Sequence, residues 1–475
     1  MVVPKSICEH RSDDSIYHWV GFASILLIQM ISEVLTFLDE NGERALADLK
    51  KIAGIPSVAA QNEGIDECSE MVFGMLRDIN LEAQLHTTSG SPVVTGLYDA
   101  GASRTLMFYN HYDVQPAEPL DLWESPPFNP EVRGERIFGR GVADNKGDLI
   151  SRIWAVKAFL ETETEIPVNI KFVVEGEEEI GSVNLQDFTS KNQEFLKADG
   201  GIWEFGGSDY DGVQQAWLGL KGIFYVQLEV EKLSRNVHSS MGGVLPSAPQ
   251  RLVDALNSLK DSENRILIEG FYDDVQPLSE ADWEAIDQID LHEEDMKNEF
   301  GISEFQNGLS GRDLKAAVYG APSSSICGLT SGYQGAGSMT VLPGKASAKV
   351  DFRLVENMNP LDIGDKLRRH LDSRGFTDVK IAWSEGYAAA KTPIDHPFLD
   401  VVRRANEKIF GDLRVHPTSS GSGPLYLFKD HVPMVSIGVG DVESRAHSPN
   451  ESIKVENFFK GMNRIALIID EMSRW

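Results

Sequence analysis

Cysteine is scarce in this 475-residue chain, with Cys8, Cys68 and Cys327 its only three. Their odd number and wide spacing exclude a disulfide framework or a Cys-rich zinc knuckle and fit a reducing compartment. Positive charge is also short: 44 Lys+Arg against 73 Asp+Glu leave a net −29. Such a field repels DNA, RNA and anionic headgroups, so neither nucleic acid nor a membrane surface is an expected partner. Long apolar runs are missing too. The stretch from Trp19 to Ile31 contains Ser24 and Gln29 and falls short of the roughly 20 apolar residues a bilayer span needs. Its upstream flank mixes Glu9, Asp13 and Asp14 with Lys5 and Arg11, unlike the basic start of a signal peptide. The expected location is therefore cytoplasmic, with residues 1–29 an extension before a domain that begins near Met30. No internal repeat is present, which argues against a solenoid.

What remains is globular composition, 41% hydrophobic and 25% charged, at a length that suggests two or three domains of about 150 residues each. Acidity leaves one partner open, because converging carboxylates are good ligands for divalent cations.

Two strand patterns divide the chain. Leu106–Tyr109 and Ile170–Val174 are short, nearly continuous apolar runs, expected for strands buried on both faces of a mostly parallel sheet. Between them Leu149, Ile153, Val156 and Leu160 recur at helical spacing, completing a βαβ unit. From Trp217 onward, strands alternate instead: Val226, Leu228 and Val230, then Ala348, Val350, Phe352 and Leu354, are separated by polar residues, as in a sheet with one covered face. The middle segment parses as strand 223–230, helix 249–259, strands 324–329 and 346–355, helix 361–371 and strand 378–383, a β-α-β-β-α-β sandwich. Buried-strand character returns at Val432–Val439, flanked by helices 398–409 and 455–472. The expected fold is an α/β domain, residues 30–216 and 387–475, interrupted by an inserted α+β domain at 217–386. The acidic stretch from Asp261 to Glu299 reads as a further insertion in that second domain, its charges largely solvated.

Five motifs carry candidate chemistry, four of them at the carboxyl ends of expected buried strands, where open α/β sheets bind ligands. Asn110-His111-Tyr112-Asp113 places a carboxylate beside a histidine, which can orient a metal-ligating imidazole. In Gly139–Gly147, Asp144 precedes a helix and is also readable as a cap. Glu175–Ser182 crowds four acids after a strand; they stay ionised only beside compensating positive charge, unless the run is a solvated helix start. Glu204 ends a short apolar strand, and His447 lies in Arg445–Glu451. Two histidines with several carboxylates suit zinc or manganese better than calcium.

This ordered combination resembles the co-catalytic metallohydrolases that include carnosine-type dipeptidases, acetylornithine deacetylase, succinyl-diaminopimelate desuccinylase and carboxypeptidase G. The resemblance runs from about Met30 to Trp475. It implies a catalytic domain with two divalent metals, zinc first and manganese or cobalt as alternatives, and a lid that mediates homodimerisation. By the same resemblance Asp144 bridges the metals, through a peptide bond to Asn145 that is typically cis. His111 and Glu204 complete one site, and Glu179 and His447 the other. Asp113 orients His111, and Glu178 is the general base.

In the lid, His238 resembles a histidine that enters the partner subunit's active site to stabilise the oxyanion; a surface-loop histidine is the plainer account. Thr340 and Arg353 resemble substrate-binding positions, Arg353 suited to a bidentate grip on a carboxylate. Gly421 and Ser422 resemble a carboxylate-binding loop, although Ser422 is equally readable as an N-cap. One departure concerns substrate. The fourth-motif ligand is Glu204, as in carboxypeptidases and deacylases, whereas dipeptidase branches usually have Asp; the lid and C-terminal motifs look closest to dipeptidases. The resemblance thus implies hydrolysis of dipeptides or short peptides with a free C-terminal carboxylate. An N-acyl-amino-acid deacylase is the alternative, and a non-catalytic binding homologue a remote one.

Overall fold

The computed structural model describes residues 31–475, so the extension expected at residues 1–29 lies outside the described residues. The larger sheet has ten strands. Its centre runs Asn169–Glu175, Thr105–His111, Gly200–Trp203 and Met434–Ser436, all parallel. Thr105–His111 is buried at every position after the first, which is why Leu106–Tyr109 is continuously apolar rather than alternating. The strand expected at 432–439 is shorter than its apolar run, spanning Met434–Ser436.

Helix Lys146–Glu161 is buried on nearly every face, because it lies between the sheet and two further helices, Gly42–Ala53 and Val455–Met472. Its first turn is set by a close approach. A Cβ at Gly147 would stand 2.2 Å from the Val142 carbonyl oxygen, a position only glycine can occupy.

The smaller sheet has four antiparallel strands in the order Ser323–Ser331, Lys345–Leu354, Gly222–Glu231, Lys380–Tyr387. Gly222–Glu231 alternates buried and half-exposed residues along its length. Its covered face packs on helices Ala248–Asn257 and Pro360–Ser373, around Val226, Leu228, Leu252, Val350 and Leu367. This is the two-layer sandwich its period-two strands call for. The two chain crossings between the sheets lie side by side, since Gly219–Leu220 pairs with Ala390–Lys391.

The charges of the acidic insertion are largely solvated, as expected, and Asp282 alone among its acids is buried. The insertion forms helices Glu280–Asp287 and Glu293–Phe300, the first packing against strand Leu413–His416 of the larger module. Ile286 and Ile289 bury against Tyr319, and buried Asp282 both completes a capping box with Ser279 and pairs with Lys391 at 2.5 Å. The apolar residues scattered among its acids supply an anchor, so the segment is docked while its charges stay in solvent.

Candidate active site

Each predicted metal-ligating residue leaves the larger sheet at a strand end or an adjoining loop. His111 is the last residue of its strand, Glu204 follows Gly200–Trp203, and Glu178 and Glu179 open the single 3₁₀ turn Glu178–Ile180 after Asn169–Glu175. Asp144 immediately precedes the Lys146–Glu161 helix region, and its peptide bond to Asn145 is cis. His447 arrives on the loop after Gly440–Asp441.

These side chains converge. His111 Nε2 lies 3.0 Å from Asp144 Oδ1 and 3.7 Å from Glu204 Oε2. His447 Nε2 lies 3.0 Å from Asp144 Oδ2 and 3.1 Å from Glu179 Oε2. Asp144 thus sits between the two imidazoles, one oxygen toward each. Glu178 offers an oxygen within 4.8 Å of both His111 and Glu204 donor atoms.

The electrostatics are those of a site short of positive charge. Burial, then repulsion from Glu204, drives the Glu178 carboxyl well above its usual range. Burial likewise pushes Glu204 up to about 8, with His111 opposing and Asp144 adding to the shift. Hydrogen bonds to Asp144 and Glu179 raise His447 to about 10. For His111, burial works downward, but Asp113 and Asp144 outweigh it and the net shift is upward. Glu204 Oε2 is buried without a hydrogen-bond partner. Two imidazoles and three carboxylates, one of which has an unpartnered buried oxygen, form a donor set that fits divalent cations, whose charge would keep the acids ionised.

Asp113 does more than the sequence suggests. Its carboxylate accepts from the Glu178 and Glu179 backbone N–H groups at 3.2 and 3.0 Å. It faces His111 Nδ1 at 3.4 Å, while the Asp113 carbonyl oxygen is nearer to that nitrogen, at 3.0 Å. The strand stops at His111, so this arrangement comes from the turn and not from continued alternation. Glu175 and Glu177 belong to the same motif but turn elsewhere. Glu175 accepts from Tyr109 Oη and Ser182 Oγ, and Glu177 from the Ser91 and Asn184 N–H groups.

Several supporting residues have no local signal in the sequence. Buried Glu451 pairs with Arg140 and accepts from the N–H groups of Gly141, Ala143 and Asp144, tying the C-terminal motif to the Asp144 loop. Gln115 Nε2 donates to Glu179 Oε2 at 3.0 Å. Arg152, fully buried, donates to the carbonyls of Tyr109 and Trp203 and to Asn110 Oδ1, joining two strand ends. The only sequence signal for Glu451 is its place at the end of the Arg445–Glu451 motif, because partners far along the chain leave no local pattern.

Of the four substrate-site expectations, two meet beside Glu178. Arg353 Nη1 donates to Ser422 Oγ at 2.8 Å, and its Nε to Asp351 at 3.2 Å. A Cβ on Gly423 would lie 3.8 Å from Glu178 Oε1, so the Gly421–Gly423 loop edges the cluster. Ser422 is not an N-cap: its hydroxyl donates to the Gly222 carbonyl, and the next element is only the short 3₁₀ segment Pro424–Leu427. Gly421 accepts from the Lys221 N–H through its carbonyl. His238 and Thr340 form a separate pair. They sit where Val237–His238 pairs with Val341–Leu342, with His238 Nε2 3.1 Å from Thr340 Oγ1 and Nδ1 2.9 Å from Ser240 Oγ. Both residues are exposed, and the described hydrogen bonds of His238 include none to the converging acids.

Residues 107–471 match the model of peptidase family M20/M25/M40. The chain belongs to that family. As an M20 chain it is a peptidase-family hydrolase, and its parallel-sheet module and inserted lid correspond to the catalytic and lid domains of its structural neighbours. It is 31% identical over 390 residues to the human Beta-Ala-His dipeptidase, covering 78% of this chain and 75% of that protein. It is 29% identical over 475 residues to the Cys-Gly metallodipeptidase of Schizosaccharomyces pombe, covering 93% of this chain and 98% of that protein. A crystal structure of an M20 family metallo-carboxypeptidase from Sulfolobus solfataricus superposes with a TM-score of 0.86 at 35% identity, over 91% of this chain and 99% of that one. Among the described residues, no helix is long and apolar enough to cross a membrane.

Proposed function

We propose that this M20 chain hydrolyses the peptide bond of dipeptides or short peptides that carry a free C-terminal carboxylate, using two divalent metal ions. One observation carries the reading: Asp144 lies between His111 and His447, with Glu204 and Glu179 beyond them and Glu178 beside the group. Asp144 would be the shared ligand, His111 and Glu204 would complete one site, and Glu179 and His447 the other. Zinc is the first choice, with manganese or cobalt accepted by the same donors. When bound, such a pair lowers the pKa of water and polarises the attacked carbonyl.

The chain's own residues then divide the work. Glu178 takes a proton from the attacking water at its carboxylate and returns it to the leaving nitrogen. Asp113 holds the Glu178–Glu179 turn and the His111 ring in register. Arg353 and Ser422, with the Gly421 backbone, grip the substrate carboxylate at a fixed distance from Glu178. His238, with Thr340 as its hydrogen-bond partner, serves the oxyanion of a second subunit in a homodimer formed through the lid. The functional division is catalytic residues 30–216 and 387–475 around a lid at 217–386.

A second reading, an N-acyl-amino-acid deacylase, is favoured by Glu204 at a position where dipeptidase branches usually have Asp. A panel of free dipeptides and their N-acetylated counterparts, assayed with zinc, manganese and cobalt, separates the two. Turnover of the free set is expected; turnover of the acylated set alone would replace the first reading with the second.

A further inference from the structure

A cavity of about 390 Å³ opens directly off Asp144, on the side that contains neither Glu178 nor Arg353. Its size lies within the roughly 300–1,000 Å³ range of small-molecule sites. Its floor is aromatic. Phe205 and Trp217 rings lie 5.3 Å apart, and Trp217 stacks on His416 at 4.9 Å. Burial and the neighbouring Arg414 push His416 down to about 4, so this floor is uncharged at neutral pH. The opposite wall is the docked acidic insertion, through Leu291 and His292, the latter packed on Tyr210 at 5.2 Å.

Charge in the wall is neutralised or negative. Asp209 is paired with Arg414 at 2.6 Å and Asp441 with Arg136 at 2.9 Å, while exposed Asp290 lines the rim. Neither arginine is left over for an acidic ligand, and an anionic side chain reaching the rim would face Asp290.

We propose that this cavity is the specificity pocket for the side chain on the amino side of the scissile bond, selecting large apolar, aromatic residues and rejecting acidic ones. The inference rests on the proposed reaction for its orientation: with the substrate carboxylate at Arg353 and Ser422 and the scissile bond at Asp144, the amino-terminal residue points to this side of the cluster. The acidic insertion thereby acquires a role, since its 289–292 segment sets the pocket's depth.

The test uses the full-length, zinc-loaded chain carrying Glu178→Gln, titrated calorimetrically with Phe-Gly, Ala-Gly and Glu-Gly. Phe-Gly is expected to bind about tenfold or more tightly than Ala-Gly, with Glu-Gly weakest, in line with the discrimination apolar pockets provide. Adding Leu291→Trp, which fills the cavity from the insertion side, should abolish the Phe-Gly advantage; Trp217→Ala, which strips the floor, should do so independently if the first variant misfolds. Equal affinities for Phe-Gly and Ala-Gly, or an advantage unmoved by either folded variant, would overturn the pocket. If the chain without Glu178→Gln hydrolyses no free dipeptide yet Phe-Gly selectivity still responds to Leu291→Trp, the reaction reading fails and the pocket stands.

Discussion

At the scale of single residues, the site is a problem in charge placement. Glu178 and Glu179 are adjacent in sequence and identical in chemistry, yet their surroundings separate them. Glu179 faces His447 Nε2 at 3.1 Å and is braced by Gln115, whereas Glu178 stands between the cluster and the Gly421–Gly423 loop. Under the proposed reaction a ligand and a proton carrier need that separation, since a group committed to a metal cannot shuttle a proton. Glu178→Gln keeps the size and hydrogen-bonding capacity of the side chain and removes its basicity. Metal content, measured by elemental analysis, is expected to stay at the level of the unsubstituted chain while kcat falls by about 10²- to 10⁴-fold. Near-normal turnover would remove Glu178 from the role of base.

At the scale of secondary-structure elements, the donors are held by strand ends, and strand ends need their own support. Near the ends of two parallel strands, the carbonyls of Tyr109 and Trp203 are both acceptors for Arg152 on the Lys146–Glu161 helix. One long cationic side chain therefore fastens helix to sheet beneath His111 and Glu204. Arg152→Met preserves most of the apolar stem and deletes the donors. We expect a loss of about 3 kcal/mol, from buried acceptors left without partners, read as a lower urea midpoint at unchanged slope. An unchanged midpoint would mean that those carbonyls find other partners.

Legibility differs by element for a physical reason. The Thr105–His111 strand and the Val455–Met472 helix announce themselves through apolar periodicity, because burial acts on each residue locally. Asp144, Glu179, Glu204 and His447 are readable as a set only through their order along the chain and its resemblance to a family. Gln115 escapes even that and Glu451 is marked only as the end of its motif, since what distinguishes them is whom they touch across more than 60 residues. In the acidic insertion the solvated charges are legible from composition, whereas the docking through Ile286, Ile289 and Asp282 is not, because a few buried contacts are averaged away.

At the scale of the whole molecule, the candidate groups fall into two sets. The first surrounds Asp144 and extends to Arg353 and Ser422; the second, His238 with Thr340, is exposed on the lid. Under the homodimer proposal the second set completes the first across subunits. Mixing His238→Ala chains with Glu178→Gln chains tests this: each homodimer should be nearly inactive, and the mixture should recover activity, because one site then combines an intact Glu178 with an intact His238 from the other chain. No recovery, in mixed dimers verified by native mass spectrometry, would place His238 outside the reaction or confine it to its own subunit.

Sequence alone determined the two strand grammars, the βαβ and β-α-β-β-α-β orders and the residue types able to hold cations, because each is a local consequence of burial period or side-chain chemistry. Tertiary structure decided which of the acids face one another, that Asp113 holds the Glu178–Glu179 turn as well as His111, and that the insertion closes a pocket beside Asp144. Those outcomes depend on contacts between segments far apart in the chain, and such contacts are set by how sheet and helices pack rather than by any window of residues.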